Sequence, residues 1–186
     1  MPVDLELFKS VIGSFPAGVT IVTARGADGV PRGLTSNAVC SVSASPPLLL
    51  VCVDKRSQTL ASIQTSGAFV VNFLAAGRED LSNRFASKDP DKLAGVTWEP
   101  SGLAGGAPIL VDDVVAVAEC QVTQAVEAGD HWVFIGCIEG GAVYEGVPLM
   151  YYRRGYAAWP KPSLPLVAVG AGSRDAADWA FHWDFH

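Results

Sequence analysis

The sequence predicts a mainly β fold with short helices, its antiparallel strands wrapped into a closed or split barrel. Three observations predict it. Six or more segments rich in Val, Leu and Ile are bounded by Gly, Pro, Asp and Asn. Helical patterns fall between only some of these segments, so regular βαβ alternation is absent. Closing an antiparallel sheet removes the exposed edges that a flat sheet of this composition would leave.

The elements follow in order. Asp4 caps a short helix with Leu5, Phe8, Val11 and Ile12 on one face. Strands are expected at 19–24, 34–42, 48–53 and 69–74. Ser57 opens a helix over 57–65 that carries Leu60, Ala61 and Ile63. A second helix is expected over 78–86. Residues 87–113, rich in Gly, Pro and Asp, read as an excursion over the surface. Strands at 114–126, 131–139 and 148–152 complete the β content, with Gly129-Asp130 as a hairpin turn. A barrel domain over 1–160 is then followed by an extension, 161–186. That extension is introduced by Pro160, Pro162 and Pro165, and Ser173 can cap a helix in it. Its Trp179, Phe181, Trp183 and Phe185 carry enough apolar area to dock on a barrel, this chain's or a partner's.

Composition narrows the function. With 186 residues, 49% hydrophobic and 17% charged, the chain can fill one sizeable core. The mean hydropathy of +0.29 suggests apolar surface buried by self-association. A net charge of −6 argues against a broad nucleic-acid-binding face. The N-terminus is acidic and lacks a signal-length apolar run, and no 18-residue apolar stretch exists, so a cytoplasmic protein without a membrane span is expected. Cys40, Cys52, Cys120 and Cys137 fit no CxxC spacing and read as buried small hydrophobes in a reducing compartment.

The chemistry concentrates in a few places. Gly33-Leu34-Thr35-Ser36-Asn37 puts hydroxyl and amide groups where a buried strand would carry apolar ones. Those groups need partners, and a bound polar ligand is one such partner. Gly33 would let the backbone approach a flat ring closely. In Asp54-Lys55-Arg56-Ser57-Gln58-Thr59 a strand ends and a helix opens, an anion site with added hydroxyls and cations. His131 is the one histidine outside the tail. Tyr152, Arg153, Arg154 and Tyr156 follow the last strand and form either a contact for nucleotide phosphates or a structural edge. Two motifs fail: Gly170-Ala171-Gly172 lacks the third Rossmann glycine, and Asp178, His182 and His186 offer metal spacing only on a terminal helix.

Several short motifs, in order, resemble one family. They are Phe15-Pro16-Ala17-Gly18-Val19-Thr20, Gly33 to Asn37, Ser41-Val42-Ser43, Pro47 through Asp54, Phe69-Val70-Val71-Asn72, Asp80-Leu81-Ser82 with Arg84-Phe85, and Gly129-Asp130-His131. Over roughly residues 8–159 the chain resembles the flavin reductase-like, FMN-binding split-barrel family. The resemblance implies an antiparallel, Greek-key split β-barrel and a homodimer with flavin near the subunit interface. It implies that FMN, or alternatively FAD, is reduced by NADH or NADPH and released to a partner monooxygenase. It further implies flavin contacts from Pro16, Ala17, Gly33, Thr35, Ser36, Asn37, Cys52, Val53, Asp54, Asn72, Phe73 and Tyr152. Ser57, Gln58 and Thr59 would hold the phosphate, with Arg84 nearby, and His131 would act in hydride transfer; no metal is needed. Two rivals stay open: a same-fold enzyme that keeps its flavin and acts on an organic substrate, and a non-catalytic flavin- or haem-binding protein.

Overall fold

The computed structural model describes residues 2–159. The expectations for the extension, including its helix, its aromatic docking and its metal spacing, lie outside the described residues.

Helix α1 (Leu5–Gly13) starts where Asp4 Oδ1 accepts the Leu7 N–H at 2.8 Å. Strands β1 (Ala17–Gly18), β2 (Thr20–Arg25), β3 (Pro31–Ser36), β4 (Val39–Ala44) and β5 (Pro47–Asp54) follow. Helix α2 (Gln58–Ser66) leads to β6 (Ala68–Leu74), and α3 (Glu79–Ala86) leads to β7 (Glu99–Pro100) and β8 (Pro108–Ile109). The long hairpin β9 (Val114–Ala128) and β10 (His131–Val143) turns at Gly129-Asp130, with Gly129 at φ +61°. Strands β11 (Leu149–Tyr152) and β12 (Gly155–Ala158) end the described chain.

One connection determines the closure. The main sheet runs β3-β2-β6-β9-β10-β5-β4, with every pairing antiparallel. Its two edge strands, β3 and β4, are consecutive in sequence and joined only by Asn37 and Ala38. The step from Ser36 to Val39 can span at most about 11 Å. The two edges therefore meet, and the sheet curls into a barrel with one seam. The single strand expected over 34–42 is thus two strands, broken at the seam. Strands β1, β11 and β12 form a separate three-stranded sheet.

Alternation along β2 and β6 builds a core on each face. Val22, Phe69 and Val71 pack with Val51, Phe134 and the α2 residues Leu60 and Ile63. Ile21 and Val70 pack with Phe85 of α3 and with Ala104, Ala107 and Leu110. Residues 87–113 are therefore only partly a surface excursion: part of the segment is core. The cysteine expectation also needs correction. Cys40 is exposed, Cys52 and Cys137 are half-buried, only Cys120 is buried, and all four are free. Burial pushes the Cys120 thiol up to about 12. No helix among the described residues is long and apolar enough to cross a membrane.

Candidate functional site at the barrel seam

The seam brings together the end of β3, the Asn37-Ala38 junction, the end of β5 and the start of α2. The Cys52 N–H donates to Ala38 O at 3.0 Å, stitching the junction to β5. Thr20 Oγ1 donates to Ser36 O at 2.7 Å, and Ser36 Oγ accepts the Ala38 N–H at 3.1 Å. Thr35 Oγ1 donates to Ser82 O at 2.6 Å. The polar groups of this strand thus have partners within the protein. Ser36 Oγ still has a proton to donate, Thr35 Oγ1 has lone pairs to accept with, and Asn37 is exposed.

Helix α2 opens immediately beyond β5. The Ser57 N–H donates to Asp54 O at 2.9 Å, and Ser57 Oγ caps the helix by accepting the Thr59 N–H at 3.2 Å. The Ser57 hydroxyl proton and the Gln58 N–H remain as donors at the positive end of the helix, whereas the Thr59 and Leu60 N–H groups donate to Ser57 Oγ and Ser57 O. Gln58 is exposed, whereas the Thr59 side chain is 1% exposed. The cations expected here are already paired. Arg56 holds the Asp54 carboxylate at 2.7 Å, pulling that carboxyl well below its usual range, and Lys55 pairs with Glu127.

The turn carrying His131 docks on this corner. His131 lies opposite Asp54 across β10 and β5, and the Lys55 N–H donates to Asp130 O at 3.0 Å. His131 Nδ1 sits 2.7 Å from Asp130 Oδ1, a contact that lowers the Asp130 carboxyl. The imidazole is therefore held beside the β5–α2 junction.

Several of the expected contact residues have partners within the protein. A Cβ on Gly33 would sit 2.6 Å from the Phe85 ring, so this glycine makes room for the protein's own phenylalanine. Asn72 is 0% exposed and every polar atom of its side chain is engaged inside the protein. Arg84 donates to Ala94 O at 2.7 Å and lines a separate cavity with Arg78, Asp112 and Asp113. Val53 is 0% exposed and offers only backbone. Phe73 is half-buried and opposite Thr20. Pro16 is exposed, and Ala17 pairs with Tyr151 in the separate sheet. Tyr152 is exposed beneath the Arg153 guanidinium.

Two residues outside the expected set, Arg32 and Lys92, lie beside three that were expected. A cavity of about 150 Å³ joins Gly33, Gln58 and Thr59 to Arg32 and Lys92. Lys92 Nζ donates to Phe85 O at 2.7 Å and Gly33 O at 3.3 Å, and desolvation lowers its pKa. Arg32 donates to Ser62 Oγ at 3.1 Å and pairs with Asp28. Lys92 carried no signal because its loop read as surface. Arg32 could have been suspected from its place one residue before Gly33.

The donor set suits a flavin: hydroxyl protons and the Gln58 N–H for a phosphate, and Asn37 with Ser36 for the polar edge of a ring.

Sequence comparison identifies the family. Residues 12–160 match the model of the flavin reductase like domain, and the chain belongs to that family. It is 49% identical over 169 residues to the flavin reductase (NADH) of Kitasatospora aureofaciens, covering 90% of this chain and 88% of that one. It is 39% identical over 157 residues to HsaB, the reductase subunit of a flavin-dependent monooxygenase from Mycobacterium tuberculosis H37Rv, covering 83% and 82%. Among solved structures, the NADH:FAD oxidoreductase SgcE6 of Streptomyces globisporus C-1027 superposes with a TM-score of 0.79 at 32% identity, over 86% of this chain and 96% of that one. The fold is the split β-barrel of these reductases.

Proposed function

We propose that this protein oxidises NADH or NADPH, reduces FMN or FAD by hydride transfer, and supplies the reduced flavin to a partner monooxygenase. The observation that carries the reading is the junction of the seam with the α2 start, where Asn37, Ser36 and Ser57 present free donors along one edge of the barrel. When bound, the flavin supplies the hydride acceptor. Ser57 and the Gln58 N–H hold its phosphate at the helix end, and Ser36 and Asn37 orient its ring. His131, steadied by Asp130, positions the nicotinamide or moves a proton at the ring. The carboxylate partners of Lys55 and Arg56, Glu127 and Asp54, leave the phosphate to hydroxyls and the helix end.

The protein acts as a homodimer. Helix α1 buries none of its residues in one chain, and Leu7, Phe8, Val11 and Ile12 are 50–60% exposed. Residues 123–130 of the long hairpin are exposed as well. A second copy covers this surface.

Steady-state oxidation of NADH and NADPH with added FMN, FAD and riboflavin tests the function. Oxidation that depends on added flavin, with flavin lost on gel filtration, is expected. Flavin that stays bound would favour the enzyme that retains it, and no oxidation with any flavin would leave a non-catalytic binder.

A further inference from the structure

Helix α3 grips β3 from one side. Gly33 and Thr35 face the same way on the strand. Gly33 meets the Phe85 ring, and Thr35 Oγ1 donates to Ser82 O at 2.6 Å. Ser82 is fully buried, and its Oγ lies 3.0 Å from the Tyr156 hydroxyl. The single Tyr156 hydroxyl proton goes to Asn83 Oδ1 at 2.9 Å, so Ser82 is the donor to Tyr156. The Tyr156 ring lies 5.1 Å from that of Tyr151, which braces it within the separate three-stranded sheet. Hydrogen bonds thus tie β3 to α3 and α3 to the separate sheet, and each hydroxyl proton among them has its acceptor inside the protein.

The polarity of Thr35 follows. Its proton is committed to Ser82 O, so its hydroxyl meets a ligand as an acceptor only. Thr35 is half-buried, two residues before exposed Asn37 at the seam. Oxidised isoalloxazine has acceptors at N1, O2, O4 and N5 and one ring N–H, at N3. Facing any of the acceptors, Thr35 would set lone pair against lone pair, and polar atoms left unpaired away from water are costly.

We infer that Thr35 pairs with the N3–H of the flavin ring and fixes the ring's orientation, with Ser82 and Tyr156 as positioning residues that hold α3 against β3. The inference rests on the proposed flavin site. Hydride transfer to N5 leaves N3–H unchanged, so the contact orients the oxidised and the reduced ring equally. That suits a protein that takes up one form and gives up the other.

Fluorescence titration with FMN and with FMN methylated at N3 tests this without turnover. The parent should bind the methylated flavin roughly tenfold or more weaker, the scale of one hydrogen bond whose partner is left unpaired. Thr35→Ala, which removes the acceptor and makes room for the methyl group, should bring the two affinities together. Thr35→Ser, which keeps the hydroxyl, should keep the preference. Tyr156→Phe retains the ring against Tyr151 and should weaken FMN while leaving the methylated flavin nearly unchanged. Equal loss for both flavins in Tyr156→Phe would make that tyrosine a structural residue only. Equal parent affinity for the two flavins would overturn the inference, and if Thr35→Ala then weakened both alike, Thr35 would serve the ribityl hydroxyls instead. A Thr35→Ala variant that altered the ratio of oxidised to reduced FMN affinity would place the acceptor at N5 and overturn it as well. Parent protein that discriminates at N3 but oxidises neither NADH nor NADPH would sink the proposed reductase and leave the N3 contact standing.

Discussion

Asn72 Oδ1 accepts the Leu110 N–H at 2.9 Å, and through this bond β6 holds the segment that covers one face of the barrel. Asn72 Nδ2 lies within bonding distance of Ile21 O, Thr23 Oγ1 and Pro108 O at 3.2–3.3 Å. Thr23 Oγ1 donates to Pro108 O as well. An asparagine in the middle of an apolar strand is thus the clamp for residues 108–110. Asn72→Ala would leave a buried N–H and a carbonyl short of partners and should cost about 2–4 kcal/mol. Urea unfolding measures it. FMN affinity of the folded variant should be unaltered, and a loss of affinity without a loss of stability would return Asn72 to the flavin site.

Gly33 and Phe85 form a second internal contact that bears on the site. Gly33→Ala should cost about 1–3 kcal/mol through overpacking against the ring. Phe85→Leu should relieve part of that cost, so a double-mutant cycle should show coupling between the two positions. Additive effects would mean that the ring is not what the glycine accommodates.

Ser57→Ala removes both a helix cap and the proposed phosphate donor. The cap alone should cost about 0.5–2 kcal/mol of stability. FMN binding should weaken by about 1.5–3 kcal/mol, and riboflavin binding far less, because only FMN carries the phosphate. The Thr59 side chain is buried and its N–H is held by Ser57 Oγ, so Thr59→Ala should discriminate little between the two flavins. Equal weakening of FMN and riboflavin by Ser57→Ala would remove the α2 start from the phosphate site.

His131→Ala should slow flavin reduction by NADH in stopped flow while sparing the flavin dissociation constant. Asp130 adds a pH dependence. Its folded-state pKa is depressed, so its contact with His131 contributes above the ordinary carboxylate range and is lost as pH falls through the depressed value. Reduction should therefore hold through neutral pH and decline in acid, and Asp130→Asn should lose that decline. An unchanged reduction rate in His131→Ala would make the imidazole a turn residue only.

Light scattering should give a mass near twice 19.5 kDa at micromolar concentration. Val11→Asp places a charge on the exposed apolar face of α1 that also carries Phe8 and Ile12, and should shift the mass towards one chain. A parent protein at 19.5 kDa would refute the dimer.

Local chemistry was legible in the chain alone. Asp4 and Ser57 cap the helices they were expected to cap, Gly129-Asp130 turns the hairpin, and the Val-rich segments are strands to within a few residues. Each of these depends on neighbours within one turn or one strand, where side-chain type decides the outcome. The ordered motifs also sufficed to recognise the family. What only the tertiary structure decided depends on partners distant in sequence. Register and closure split residues 34–42 across the seam, turned Asn72 towards Leu110, packed Gly33 on Phe85 and sent Arg84 to Ala94. The same closure pulled Lys92 from an apparent surface loop onto the backbone of β3, and left α1 without a core of its own. A polar side chain in a strand advertises that it needs a partner, but whether that partner is a ligand or the chain itself is settled by which strands the barrel brings together.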